Sequence, residues 1–248
     1  DGVDAVIVAS RNNLRLGASQ IKLMAGGGVS SLYDQLEDVQ YFEDELHAAV
    51  MAAEDAGTYV MVHVYVPEAI RRAIRAGVKS IEHGQLIDEP TMKLIAEKGV
   101  WLSMQPFIGE GNNHYTNPVQ QAKHELVVQG TDRAYQLAKK YGVKLAWGTD
   151  LLFSPANARN QNLNIEKMTR WFSNFEILKM ITHDNAELLA LSGRRNPYPG
   201  KLGVIEEGAL ADLIVVDGNA LEDIKVLTDP GKNMLLIMKD GKIYKNDL

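Results

Sequence analysis

Residues Thr58–Gly84 read TYVMVHVYVPEAIRRAIRAGVKSIEHG, which spells strand, helix, strand, with one histidine at the end of each strand. Val60-Met61-Val62-His63-Val64 is a short apolar run rich in β-branched residues, of the length of a buried strand. Pro67 stands at a first helical position, where an N–H is not needed. Ala69, Ile70, Ala73, Ile74 and Gly77 follow at helical spacing, with Arg71, Arg72 and Arg75 largely on other faces. Gly77 closes that helix, and Val78–His83 forms the next strand. His63 and His83 lie twenty positions apart, one βα period. Neighbouring strands of a parallel sheet run about 4.8 Å apart, so both imidazoles are expected to reach one ion.

Outward from this unit the same alternation continues in both directions. Asp4–Leu16 suits a helix stopped by Gly17, and Gln20–Met24 suits a strand that ends in Ala25-Gly26-Gly27-Gly28. Lys22 inside that strand is unusual, because an ammonium is costly to desolvate; a lysine whose stem lies along the strand end is the ordinary alternative. Three glycines after it mark a loop whose backbone approaches something closely. Phe42–Ala56, Pro90–Lys98 and Val119–Tyr141 read as helices, and Val100–Met104 and Val143–Trp147 as strands. The polar loop Pro106–Pro118, which carries His114 and Tyr115, has the length of an active-site lid. Beyond Gly148-Thr149-Asp150 a second polar loop runs to about Asn164, and Phe175–Ser192 reads as one helix. His47 is expected in packing or facing solvent, His124 at the surface, and His183 in a structural role.

After residue 195 the pattern changes to strand and turn. Leu202–Ile205, Asp212–Asp217 and Met234–Lys239 read as strands, and Asp240-Gly241 is a hairpin turn before Lys242-Ile243-Tyr244. The expected domains are therefore residues 1–195, an α/β region of βα repeats, and residues 196–248, a small β module.

Composition excludes several functions. The 248 residues are 46% hydrophobic and 23% charged, with a net charge of −6 and no cysteine. Thiolate metal sites and disulfides are thereby ruled out. No basic stripe suits a nucleic acid, and no apolar run approaches the roughly 20 residues that span a membrane. DGVDAVIVASRNN lacks the basic region and cleavage site of a signal peptide, and no compartment can be named. The chain opens inside a helix without an initiator Met, as if taken from something longer.

Five successive strand ends now offer Lys22, His63, His83, the Ser103–Gln105 region and Asp150. Each alone has an ordinary explanation, since a lone buried histidine is more often hydrogen-bonded than metal-bound. Together they line one rim of a parallel barrel, where that fold places its active sites.

The pieces IKLMAGGG, VMVHVY, SIEHG and WGTD, in this order and spacing, resemble the amidohydrolase superfamily, the metal-dependent hydrolases of the (β/α)8 TIM-type barrel. The tail PYPGKLGVIEEGALADLIVVDGN followed by MKDGKIYK resembles that family's composite β-sandwich. Within the superfamily the chain looks most like the prolidase-like dipeptidases and zinc carboxypeptidases, which use a lysine on the fourth strand. The resemblance implies that barrel strands four to eight are present and that zinc, as one or two ions, is the cofactor. It implies that Lys22 is carboxylated and bridges two metals, that His63 and His83 bind the second, and that Asp150 binds the first and moves the proton. It further implies that Tyr65, with Arg71 or Arg72, binds a substrate carboxylate. His114 and Tyr115 are added as lid contacts.

One departure stands out. The family's His-X-His pair on the first strand is absent, together with strands one to three. At about 31 residues per βα unit the repeat region holds five units, which cannot close an eight-stranded barrel. An N-terminal segment of the same protein is thus expected as a partner. The implied reaction is hydrolysis of an amide or peptide bond in a dipeptide or N-acyl amino acid. Hydrolysis of a cyclic amide, as in imidazolonepropionases, or of an ester is the related alternative; a metal-free barrel relative with a role in assembly is the non-enzymatic one. Self-association stays open.

Overall fold

The computed structural model describes residues 2–109, 115–151 and 155–248. The chain divides into two compact units, residues 1–146 with 189–197, and residues 147–188 with 198–248.

In the first unit, helix α1 (Val3–Arg15) leads into β1 (Ile21–Met24), after which α2 (Glu43–Asp55), β2 (Val60–Val64), α3 (Pro67–Arg75), β3 (Ser80–His83), α4 (Glu89–Lys98), β4 (Trp101–Met104) and α5 (Pro118–Tyr141) follow before β5 (Leu145–Trp147). The sheet order is β1-β2-β3-β4-β5, and the first three pairings are parallel. Each strand is thus joined to the next by a helix, as parallel neighbours require. Val60, Val62 and Val64 on one face of β2 are at most 1% exposed and His63 on the other face is 7% exposed, the burial of a sheet covered on both faces. Helix α3 buries Ala69, Ile70, Ala73 and Ile74, the face expected from their spacing. Asp88 caps α4 by accepting the Thr91 N–H. Gly99 and Gly142 end α4 and α5 in the left-handed conformation that glycine adopts without strain. Among the described residues no helix is long and apolar enough to cross a membrane.

The second unit departs from expectation in three places. A 3-10 turn (Pro155–Asn160) and helix α6 (Leu163–Lys167) occupy the span expected as a polar loop. The expected single helix at 175–192 is α7 (Asn174–Lys179), a π turn over Met180–Asp184, and α8 (Asn185–Ala190). Thr182 Oγ1 donates to the Leu178 carbonyl four residues back, a side-chain bond that competes with the helical ladder at this point. Leu202–Ile205 forms no strand; a Cβ on Gly203 would meet the Thr182 carbonyl oxygen at 2.5 Å, so this segment packs on the π turn instead. The antiparallel sheet β6 (Leu213–Val216), β7 (Met234–Lys239), β8 (Lys242–Asn246) matches the remaining expectation. Asp240 and Gly241 both take positive φ, 50° and 73°, as a two-residue hairpin of this twist requires.

Candidate active site

Strand register brings the two histidines together. His63 lies opposite Met24 of β1, and His83 opposite Val64 of β2. Their ring centroids are 4.5 Å apart at 72°, and the residues are 7% and 3% exposed. His83 has φ 80°, a conformation that strains any residue with a Cβ by roughly 1–3 kcal/mol and persists only where the surroundings over-determine it. Here the next N–H, of Gly84, donates to the Val64 carbonyl at 2.9 Å, which pins the strand end to β2.

One nitrogen of each ring is tied to a protein acceptor. His63 Nε2 donates to the Gly27 carbonyl at 3.1 Å, so its Nδ1 carries the lone pair. His83 Nδ1 donates to Gln105 Oε1 at 2.7 Å, which leaves the lone pair on Nε2. Gln85 Nε2 donates to the carbonyl and the side-chain oxygen of Gln105 at 3.4 and 3.5 Å, which orients the Gln105 amide. Burial pushes both imidazoles below their ordinary pKa, His83 well below; nearby positive charge adds to this, from Lys22 on His63 and from His63 and Lys22 on His83. Hydrogen bonds to Gly27 and Gln105 oppose the shift without reversing it. Both rings are therefore neutral near pH 7, the form that binds a metal.

Tyr65, 3% exposed, stands against both rings, 5.2 Å from His63 and 5.0 Å from His83. It belongs to a buried cluster with Val29, Leu36 and Val127, onto which Phe107 and Tyr115 pack. The Tyr115 hydroxyl pairs with Ser30 Oγ at 3.1 Å. Lys22 lies opposite Met61, close enough for its charge to act on both histidines. It is exposed, against the expectation of a buried amine, because β1 is the outer strand of the described sheet.

The two arginines are engaged on the helix side. Arg71 meets Glu68 at 3.1 Å, Asp88 at 3.3 Å and Thr91 Oγ1 at 2.8 Å. Arg72 donates to the Tyr41 carbonyl at 2.7 Å, a neutral partner. Asp150, in the second unit, is exposed and has φ 49°. His114 lies outside the described residues. Among the described residues, no three His, Cys, Asp or Glu side chains gather into a metal-binding group.

Two residues of α5 were not anticipated. His124 is 6% exposed and its ring lies 5.9 Å from Phe107 and 5.6 Å from Tyr115, so the expected surface histidine is buried against these two rings. Lys123, 4% exposed, donates to the carbonyls of Gly28 at 3.2 Å, Ser31 at 2.9 Å and Asp34. A lysine on a long polar helix carries no sequence signal of burial. The glycine loop was legible: a Cβ on Gly27 would stand 1.8 Å from the Gln35 carbonyl oxygen.

The chain matches the model of the amidohydrolase family over residues 1–244. It is 34% identical over 249 residues to ochratoxinase from Aspergillus niger, covering 99% of this chain and 50% of that protein. A solved prolidase complexed with N-methylphosphonate-L-proline shares 38% identity at a TM-score of 0.89, covering 99% of this chain and 59% of that one. A Xaa-Pro dipeptidase with methionine bound in its active site shares 32% at 0.86, covering 99% and 59%. The chain thus spans about half the length of the curated relatives it matches.

Proposed function

The chain belongs to the amidohydrolase family, and from that premise we propose that it carries the C-terminal half of a metal-dependent hydrolase of amide bonds in dipeptides or N-acyl amino acids. The observation behind this is the His63–His83 pair. Two buried neutral imidazoles stand side by side, each with one nitrogen bonded to a protein acceptor. That is the outer-shell pattern of histidines that bind a metal, where the second nitrogen fixes the tautomer. The relatives named above include proteins acting on Xaa-Pro dipeptides, which favours a dipeptide here.

The donor set suits zinc: neutral imidazoles are good ligands, and Lys22, carboxylated, and Asp150 complete the set proposed from the family pattern. Bound zinc would activate a water and polarise the scissile carbonyl. Asp150 takes the proton of that water on its carboxylate and returns it to the leaving amine. Tyr65 and Arg72 bind the substrate carboxylate, a phenol and a guanidinium being suited to it, while Arg71 is already compensated by Glu68 and Asp88. Tyr115 serves as a lid contact in this proposal, and His114, outside the described residues, takes the same role from its place in the sequence. In this proposal β1–β5 are strands four to eight of a (β/α)8 barrel, residues 1–195 are its barrel portion, and residues 196–248 are part of a β-sandwich. A segment of about 150 residues, from about 95 for three βα units and the remainder for the half-sandwich, brings the first three strands and a His-X-His pair.

The test is a dipeptide library, Xaa-Pro included, offered to the full natural polypeptide with zinc analysis alongside. Hydrolysis of dipeptides with bound zinc, lost in His63→Asn and His83→Asn, is expected. A zinc-replete protein that cleaves no dipeptide or N-acyl amino acid overturns the proposal.

A further inference from the structure

The loop next to the carbonyl that accepts the His63 Nε2–H bond is held from α5. Lys123 has three N–H donors on its ammonium, and its three bonds go to the carbonyls of Gly28, Ser31 and Asp34. Its charge lies 3.6 Å from Asp34 Oδ1. Asp34 closes the loop on itself, accepting the Gly28 N–H at 3.1 Å. One helical turn before Lys123, Gln120 Nε2 donates to the Ser30 carbonyl at 2.5 Å. The loop also has no slack at its start, since Gly27 packs directly on the Gln35 backbone.

The Gly27 carbonyl, one residue from the Gly28 carbonyl that Lys123 grips, is the acceptor of His63 Nε2–H. We propose that Lys123 is a positioning residue for His63: by fixing the 28–34 loop from α5 it holds the Gly27 carbonyl in place, and so holds His63 as the Nε2–H tautomer with its Nδ1 lone pair available. The consequence for catalysis rests on the proposed function; the tautomer itself does not. A lysine buried only for packing would stabilise the loop without deciding where the imidazole proton sits. The role is specific to a compact ammonium with three divergent donors, which the planar fork of arginine reproduces in part.

The experiment is long-range proton–nitrogen NMR of the metal-free full natural polypeptide, labelled with nitrogen-15 in histidine, with the His63 and His83 signals assigned by His63→Gln and His83→Gln. In the wild type His63 gives the pattern of a single Nε2–H tautomer and His83 that of Nδ1–H. Lys123→Met is expected to turn His63 into a mixture of both tautomers while His83 keeps its pattern, and Lys123→Arg to restore the Nε2–H form in part. A folded Lys123→Met protein whose His83 pattern is unchanged and whose His63 remains wholly Nε2–H overturns the proposal. Should Lys123→Met not fold, the double variant Asp34→Ala/Gln120→Ala loosens the same loop; faster amide exchange at 28–34 with an unchanged His63 tautomer overturns it equally. The spectra report the tautomers whether or not a dipeptide is cleaved, so absence of hydrolysis counts against the proposed function alone.

Discussion

At Gly27 a single missing Cβ decides where the loop beside His63 runs. A methyl there would stand 1.8 Å from the Gln35 carbonyl oxygen, whereas one on Gly28 would meet His63 Nε2 at 3.8 Å, an ordinary contact. Gly27→Ala is therefore expected to cost stability at the upper end of about 1–3 kcal/mol or beyond, and Gly28→Ala far less. Thermal melts of the pair check this, and equal melting temperatures would contradict it. Tyr65 and Arg72 offer a second test at this scale. Charge-assisted hydrogen bonds contribute about 1.5–3 kcal/mol, so Tyr65→Phe and Arg72→Met should lower kcat/KM for free dipeptides by about tenfold or more. C-terminally amidated dipeptides should lose much less, and an unchanged ratio between the two substrate types would remove the carboxylate role. His63 and His83 could be picked out from spacing alone, because strand ends one βα period apart must become neighbours. Lys123 could not, since its partners are backbone carbonyls about ninety residues away and carry no residue identity.

Among the elements, α5 is the one whose role exceeds its pattern. Its sequence reads as a helix with His124 at the surface, yet it buries both Lys123 and His124. Removing the ammonium leaves the carbonyls of Gly28, Ser31 and Asp34 without that donor, and leaving buried acceptors unmade costs about 1–3 kcal/mol. Lys123→Met should lose stability on that scale in urea titrations. Burial would raise the Asp34 pKa, but bonds from Ser31 and Gly28 and the Lys123 charge outweigh it, and the folded-state value is lowered. A lowered carboxylate contributes stability above its unfolded pKa of about 3.9 and loses it as pH falls through the folded value. Acid below about pH 4 should thus release the loop, and Asp34→Asn should flatten that part of the stability profile. The β7–β8 turn is a simpler case. Gly241 has open space around its Cα but φ 73°, so Gly241→Ala should cost about 1–2 kcal/mol from backbone strain alone, with Gly241→Asn recovering part; equal stabilities would argue against that strain.

For the whole molecule the open edge of the parallel sheet matters most. The Ile21 and Ala25 N–H groups donate to the carbonyls of Tyr59 and His63, and alternation turns the Lys22 and Met24 N–H groups to the outer side of β1. An unpaired parallel edge exposes backbone donors, and Met24 is 47% exposed. In residues 1–248 alone, the Lys22 and Met24 amides should exchange with deuterium far faster than those of Val62 and Ile81. In the full natural polypeptide they should be protected, if a preceding barrel strand pairs with β1. Equal exchange in both would count against the barrel assignment.

The order of βα units, the two histidines at neighbouring strand ends, the helix stops at Gly77, Gly99 and Gly142, and the Asp240-Gly241 hairpin were all determined by the sequence alone. Each depends on local periodicity or on a backbone angle that one residue type adopts without strain. Tertiary structure alone decided that Lys22 is exposed, that Lys123 and His124 are buried, that 202–205 packs on a π turn instead of pairing, and that each imidazole keeps a particular nitrogen for its lone pair. Those outcomes depend on partners far away in the chain. Desolvation and hydrogen bonding are set by what surrounds a group after folding, and a single sequence position does not encode its surroundings.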